Sequence, residues 1–166
     1  MQLGKQLFKS KEEVIQLLAS IVDPEIPVVT IEEMGMLRDV VLHDDVCEVI
    51  VTPTYSGCPA MGIIAADIKA LLDEHDIKPN KVTLVYDPAW TTDWMTEIAK
   101  TKMNAYGIAP PISSNCGNVM QAENTITCPR CGSNNTSVIS RFGATACKAL
   151  YKCLDCLEPF EYFKCH

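Results

Sequence analysis

Val14, Leu17, Leu18 and Ile21 recur at the spacing of one helical face, with polar residues between them. Upstream, Ser10-Lys-Glu-Glu13 has the form of a capping box, in which the Ser10 hydroxyl and the Glu13 carboxylate each take a free N–H of the first turn. The pattern predicts a helix from residue 10 to about residue 22. Asp23-Pro-Glu-Ile-Pro-Val28 must leave it, because each proline removes a donor and pushes its predecessor out of the helical region. That segment reads either as a plain connector or as a functional loop. One helical turn is expected over residues 31–35, closed by Gly35. Alternation and β-branching then predict strands at 37–42 and 46–52, joined by a turn at His43-Asp44-Asp45.

Pro59 suits the first position of a following helix, whose apolar face is Ile63, Ile64, Ile68, Leu71 and Leu72 and which should end near His75. A turn at Lys78-Pro-Asn80 leads into a strand over 82–86, and Asp87-Pro-Ala-Trp90 makes an abrupt exit. Thr92 or Asp93 can cap a last helix that runs to Tyr106 and stops at Gly107. The order α-β-β-α-β-α describes an α+β fold, a small sandwich of helices on a mixed sheet. Composition changes at Ile108-Ala-Pro-Pro-Ile-Ser-Ser-Asn, so the expected organisation is a domain over 1–107, a linker over 108–127 and a small second domain over 128–166.

A chain of 166 residues that is 48% apolar can bury one ordinary core and carry a small appendage. It contains no run of about 18 apolar residues, and Met1-Gln-Leu-Gly-Lys offers no signal-peptide core, so neither a membrane partner nor export is indicated. The cytoplasm is the expected compartment. Nine cysteines then read as metal ligands or redox thiols rather than as a disulfide framework. The net charge of −7 is uneven: residues 1–127 hold 9 Lys+Arg against 18 Asp+Glu, and residues 128–166 hold 5 against 3. An acidic first part without a Lys/Arg cluster argues against nucleic acid as a partner.

Thr52-Pro-Thr-Tyr-Ser-Gly-Cys-Pro59 runs off a strand and delivers Cys58 to the start of a helix. There the helix dipole and free N–H groups would favour a thiolate and lower its pKa. Gly57 would allow a close backbone approach or a positive φ, and Thr52, Thr54 and Ser56 add hydroxyls that could orient a ligand or satisfy the loop backbone. Metal, cluster and electrophile are all compatible with such a thiol; so is a small cysteine packed beneath the helix. A nucleophilic enzyme would need a base, and His43, His75 and His166 all read as surface residues. Asp23, Asp87 and Asp93 sit at element ends, where capping is their ordinary role.

Cys128-Pro-Arg-Cys131 and Cys153-Leu-Asp-Cys156 are separated by 21 residues, close to zinc-ribbon spacing. Two Cys-x-x-Cys turns place four thiolates at tetrahedral corners, and structural zinc is the usual occupant. A unit of about 40 residues should draw most of its folding free energy from that metal. Cys147 could be a packed thiol, and Cys165 with His166 could frame a second metal. Phe160, Tyr162 and Phe163 are expected to pack against the ribbon.

Asp23-Pro-Glu-Ile-Pro-Val28, Thr52–Pro59 and Asp87-Pro-Ala-Trp90 together resemble the domain of SufT-like and cytosolic iron-sulfur assembly proteins over residues 10–107. Asp87–Met95, Gly107–Pro111, Phe142–Cys153 and Glu158–Cys165 extend the resemblance, end to end, to the PaaD family of the bacterial phenylacetyl-CoA epoxidase system. Met34-Gly-Met36 departs from the more aliphatic residues usual in related domains. The resemblance implies a maturation factor of aerobic phenylacetate breakdown, working with the oxygenase and reductase components, rather than an enzyme. A direct part of the oxygenase complex is the alternative, and a homodimer is left open. The family's reactive cysteine falls on Cys58 and its acidic loop residue on Asp23, with Thr54 and Ser56 beside them. Transient iron or an iron-sulfur cluster would be held there, and zinc by Cys128, Cys131, Cys153 and Cys156.

Overall fold

A computed structural model describes residues 10–44, 46–112 and 126–165; Asp45, most of the expected linker and His166 lie outside the described residues. Helix α1 (Lys11–Leu18) begins on the predicted capping box, with Ser10 Oγ accepting from Glu13 N at 3.2 Å and Glu13 Oε2 accepting from Ser10 N at 2.8 Å. It ends earlier than its apolar pattern suggests. Ile21 still packs into the core, but from beyond the helix.

Residues 22–30 form a small hairpin, β1 (Val22–Asp23) and β2 (Ile26–Thr30), where a connector or loop was expected. The ladder is only two strands wide, so Pro27 can occupy an edge where its missing N–H costs nothing. A turn through 31–35 then leads to β3 (Leu37–Leu42), β4 (Cys47–Val51), α2 (Ala60–Glu74) and β5 (Asn80–Leu84). β3 and β4 pair antiparallel, while β4 and β5 pair parallel because α2 carries the chain back across the sheet. Cys47, Val49 and Val51 alternate inward along β4. α2 buries Ala60, Met61, Ile64, Ile68 and Leu72, whereas Ile63, assigned to the apolar face from sequence, points to solvent.

The expected helix from Thr92 or Asp93 is instead one 3-10 turn over Thr92–Trp94, capped by Thr91, followed by α3 (Glu97–Tyr106), which Thr96 caps. Gly107 ends α3 at φ 98°. Immediately after it, β6 (Ile108–Ala109) pairs parallel with β9 (Pro159–Phe163). The last sheet is therefore four-stranded, in the order β6-β9-β8-β7, with β7 at Thr136–Ser140 and β8 at Lys148–Cys153. Residues 108–109 belong to this sheet rather than to a linker.

Two buried clusters result. The larger gathers the three helices and the first sheet, and it also takes in Cys147 and Phe163 from the C-terminal region. The smaller is Ala109, Ile126, Cys128, Cys153 and Phe160, with Tyr151, Cys156 and Tyr162 against it. Trp90 fixes the joint: its Nε1 donates to Met34 O at 2.9 Å, and its ring meets Phe163 edge-on at 6.1 Å. No described helix is long and apolar enough to cross a membrane.

Candidate metal centres at Cys58 and in the ribbon

Cys58 sits one residue before Pro59, the cap of α2, at the end of the loop that leaves β4. Its N–H donates to Tyr55 O at 3.1 Å, and the nearby Ala60 N–H and Thr54 hydroxyl act to lower the pKa of its thiol. Both favour the thiolate, as a helix start should. Burial outweighs them, with the charges of Asp23 and Cys147 adding to it, and the Cys58 thiol is pushed up rather than down. Gly57 needs no positive φ, and a Cβ there would make only ordinary contact with the Tyr55 ring at 3.5 Å. The lowered pKa that a helix start favours is thus not found: the thiol is half-buried and its pKa is raised.

Asp23 is 5% exposed. Its Oδ1 accepts the N–H groups of Glu25 at 2.7 Å and Ile26 at 3.0 Å, closing the β1–β2 turn. Burial raises its pKa against the pull of those two N–H groups. The cavity between Asp23 and Cys58 also meets Thr54, Tyr55, Thr145 and Cys147, with apolar walls from Met34 and Phe163. Its free volume of about 10 Å³ admits one water-sized body. Thr54 is buried at this cavity, whereas Ser56 is exposed and outside its lining. Thr52 is buried with its hydroxyl unpartnered among the described residues. His43 reaches Glu48 at 3.3 Å and His75 closes α2, so neither lines the cavity; His166 lies outside the described residues.

Residues 141–147 supply the far wall. Gly143 N donates to Lys148 O at 2.8 Å and Lys148 N to Thr145 O at 3.1 Å, folding a tight loop over the start of β8. This loop and the one that carries Cys58 meet at the cavity, Thr145 and Cys147 from one side and Tyr55 from the other. Thr145 Oγ1 lies 3.0 Å from Cys147 Sγ. Next to them Lys148, 4% exposed, pairs with Glu161 at 2.8 Å. Tyr55, Thr145 and Cys147 are among the cavity residues that sequence reasoning did not assign to this site. Their signal lay in the two motif segments, 52–59 and 142–147, which are far apart in the chain.

In the ribbon, two knuckles face each other. Gly132, at φ 74°, donates to Cys128 O at 2.9 Å in the first, and Leu157 holds φ 66° in the second. Asp155 links them through Ser133 and Asn135, the latter at 2.7 Å. The sulfurs of Cys128, Cys131, Cys153 and Cys156 all lie within 4.8 Å of one another. Cys128 and Cys156 are 3.8 Å apart, Cys131 and Cys153 3.5 Å. Four sulfurs at the ~2.3 Å of a zinc–thiolate bond stand ~3.8 Å apart at the corners of a tetrahedron, so the donor set fits zinc. The Cys156 N–H leads in bringing Cys153 down to about 7. The Ser133 N–H acts the same way on Cys131, but the neighbouring sulfurs, Cys153 foremost, push it up to about 12. A bound cation relieves that crowding, because all four ligands can then be thiolates. Cys165 is held in a disulfide and is not free for a second metal.

A sheet-and-helix domain with a thiol at the head of α2, joined to a four-Cys β-ribbon, defines a recognisable class of protein. Residues 11–84 match the family model of the iron-sulfur cluster assembly protein, and residues 113–164 match that of the PaaD zinc beta ribbon domain. An Escherichia coli (strain K12) protein that carries the name of a 1,2-phenylacetyl-CoA epoxidase component is 48% identical over 153 residues, 92% of each chain. The chain belongs to the PaaD family of phenylacetyl-CoA epoxidase proteins. Its first domain is also similar to the Fe-S protein maturation auxiliary factor YitW of Bacillus subtilis (strain 168), 37% identical over 54% of this chain and 89% of that one. A crystal structure of a domain of unknown function, DUF59, from Bacillus anthracis superposes with a TM-score of 0.52 at 27% identity, covering 56% of this chain and 90% of that one.

Proposed function

We propose that this protein is a maturation factor that carries iron to the multicomponent phenylacetyl-CoA epoxidase, with Cys58 and Asp23 as the iron-handling groups and the zinc-loaded ribbon as the part that meets the recipient. The observation that carries this reading is the cavity itself. Cys58, the buried Asp23 and Thr54 line one space of about 10 Å³, which suits a single ion and is far too small for a CoA thioester. Among the described residues no histidine lines that space to serve as a base. The similarity of the first domain to iron-sulfur maturation factors supports the same reading, and the name of the Escherichia coli relative supports the recipient.

The reading is tested in cells that express the oxygenase components with either wild-type protein or its Cys58→Ala variant. Oxygenase and reductase purified from the variant strain are expected to contain less iron and to turn over correspondingly slowly. Full iron content and full activity with Cys58→Ala would sink the proposal. Epoxidase activity that requires this chain in a mixture of already iron-loaded components would instead make it a working part of the complex.

A further inference from the structure

The cavity beside Cys58 holds a second thiol that comes from the other domain. Cys147 is 6% exposed, stands at the entry to β8, and lines the same space as Cys58 and Asp23. The loop that presents it is anchored to the C-terminal segment by Lys164 N on Cys147 O at 2.9 Å. A merely packed cysteine would need none of the polar company found here: the Thr145 hydroxyl at 3.0 Å, a buried carboxylate and the buried Lys148.

We propose that Cys147 is a ligand of the ion bound at Cys58, so that a mononuclear thiophilic divalent cation is held by Cys58 Sγ, Cys147 Sγ and an Asp23 oxygen, with ligands drawn from both domains. This rests on the iron-handling role of Cys58 proposed above and adds the ligand that makes the ribbon part of the site. Two thiols and a carboxylate are the donor types that select iron, zinc or cobalt over magnesium and calcium. Binding forms two metal–sulfur bonds and releases two thiol protons to solvent; no electrons move. Two thiolates, one carboxylate and a divalent cation leave one negative charge, on a cavity that Glu25 also lines and next to Lys148, which is itself paired with Glu161. The three sulfur and oxygen donors are not drawn as tightly together as the ribbon thiols, which alone form a cluster within 4.8 Å among the described residues. Binding must therefore close the 141–147 loop on Cys58, and three protein ligands leave a fourth position through which the ion can be passed on.

The test uses the full chain with its ribbon first filled with zinc, titrated anaerobically with cobalt(II). The wild type is expected to take up one further cobalt per chain and to show thiolate-to-cobalt charge-transfer absorption. Cys147→Ser should roughly halve that absorption and weaken cobalt binding at least about tenfold, the lower end of what even an outer contact of a metal site contributes. Cys147→Val, an apolar replacement of similar size, should do the same; Cys47→Ala, a buried thiol remote from the cavity lining, should leave both readouts unchanged. Full absorption and affinity in both Cys147 variants, with loss of both in Cys58→Ala, would overturn the role of Cys147 while leaving that of Cys58. A zinc-loaded wild type that takes up no cobalt would overturn both.

Discussion

At the scale of single residues, Gly35 shows how closely the first domain is fitted together. It adopts φ 69°, and a Cβ added to it would lie 2.5 Å from Trp94 O and 2.6 Å from Trp94 Cβ, both parts of a structured turn that cannot yield cheaply. Gly107 has a similar backbone, at φ 98°, but its nearest neighbour would be the far end of the Arg130 side chain at 3.7 Å. Gly107→Ala should therefore cost only the conformational penalty, about 1 kcal/mol, and Gly35→Ala about 3 kcal/mol or more, since the clash adds to it. Denaturant midpoints of the two variants measure the difference, and equal losses would refute the explanation. Cys58 teaches a related lesson about what one residue reveals. Its place at a helix start was readable from Gly57-Cys-Pro59, and a lowered pKa followed from that local picture. Burial reverses the shift, in a cavity that Asp23 and the 141–147 loop also line and that no nearby residue announces.

At the scale of elements, Glu48 ties the first sheet together. On β4 it binds Thr83 and Lys81 of β5, the latter at 3.0 Å, and His43 at 3.3 Å beyond β3. Thr83 foremost, then Lys81 and His43, hold its carboxyl down at about 2, well below the ordinary 4.5. A carboxyl whose pKa is lower folded than unfolded contributes stability above the unfolded value and loses it as pH falls through the folded one. The wild type should accordingly lose stability between pH 4.5 and about 2 in a way that Glu48→Gln does not. Chemical denaturation of both proteins across that range is the measurement, and parallel acid profiles would refute it. Elements specified by short-range signals, the capping box of α1, the period-2 burial of β4 and the glycine stop of α3, were all visible in sequence. The β1–β2 hairpin was hidden because its prolines argue against a strand, and only the edge position of β2 removes that objection.

At the scale of the whole molecule, the ribbon's own core holds five buried residues, and two of them, Cys128 and Cys153, belong to the four-Cys donor set. So little apolar surface cannot hold four strands together without the ion. Removing the metal with a strong chelator should abolish amide protection in β7 and β8 while α2 and β4, in the larger core, keep theirs. Hydrogen exchange resolves the two regions, and retained protection in β8 would show that the ribbon stands without metal. The ribbon could be anticipated because its ligands announce themselves by spacing. Its docking could not, since Phe163 against Trp90 and Cys147 beside Cys58 join positions more than 70 residues apart in the chain.

β6 bears on how such proteins can be recombined. The family match for the ribbon starts at residue 113, yet the strand that completes its sheet lies at Ile108–Ala109, directly behind the glycine that ends α3. The unit that is inherited and the unit that folds are thus offset by one strand. A chimera that exchanges ribbons between relatives at the homology boundary would pair β9 with a foreign edge, and a faithful exchange has to be cut at Gly107.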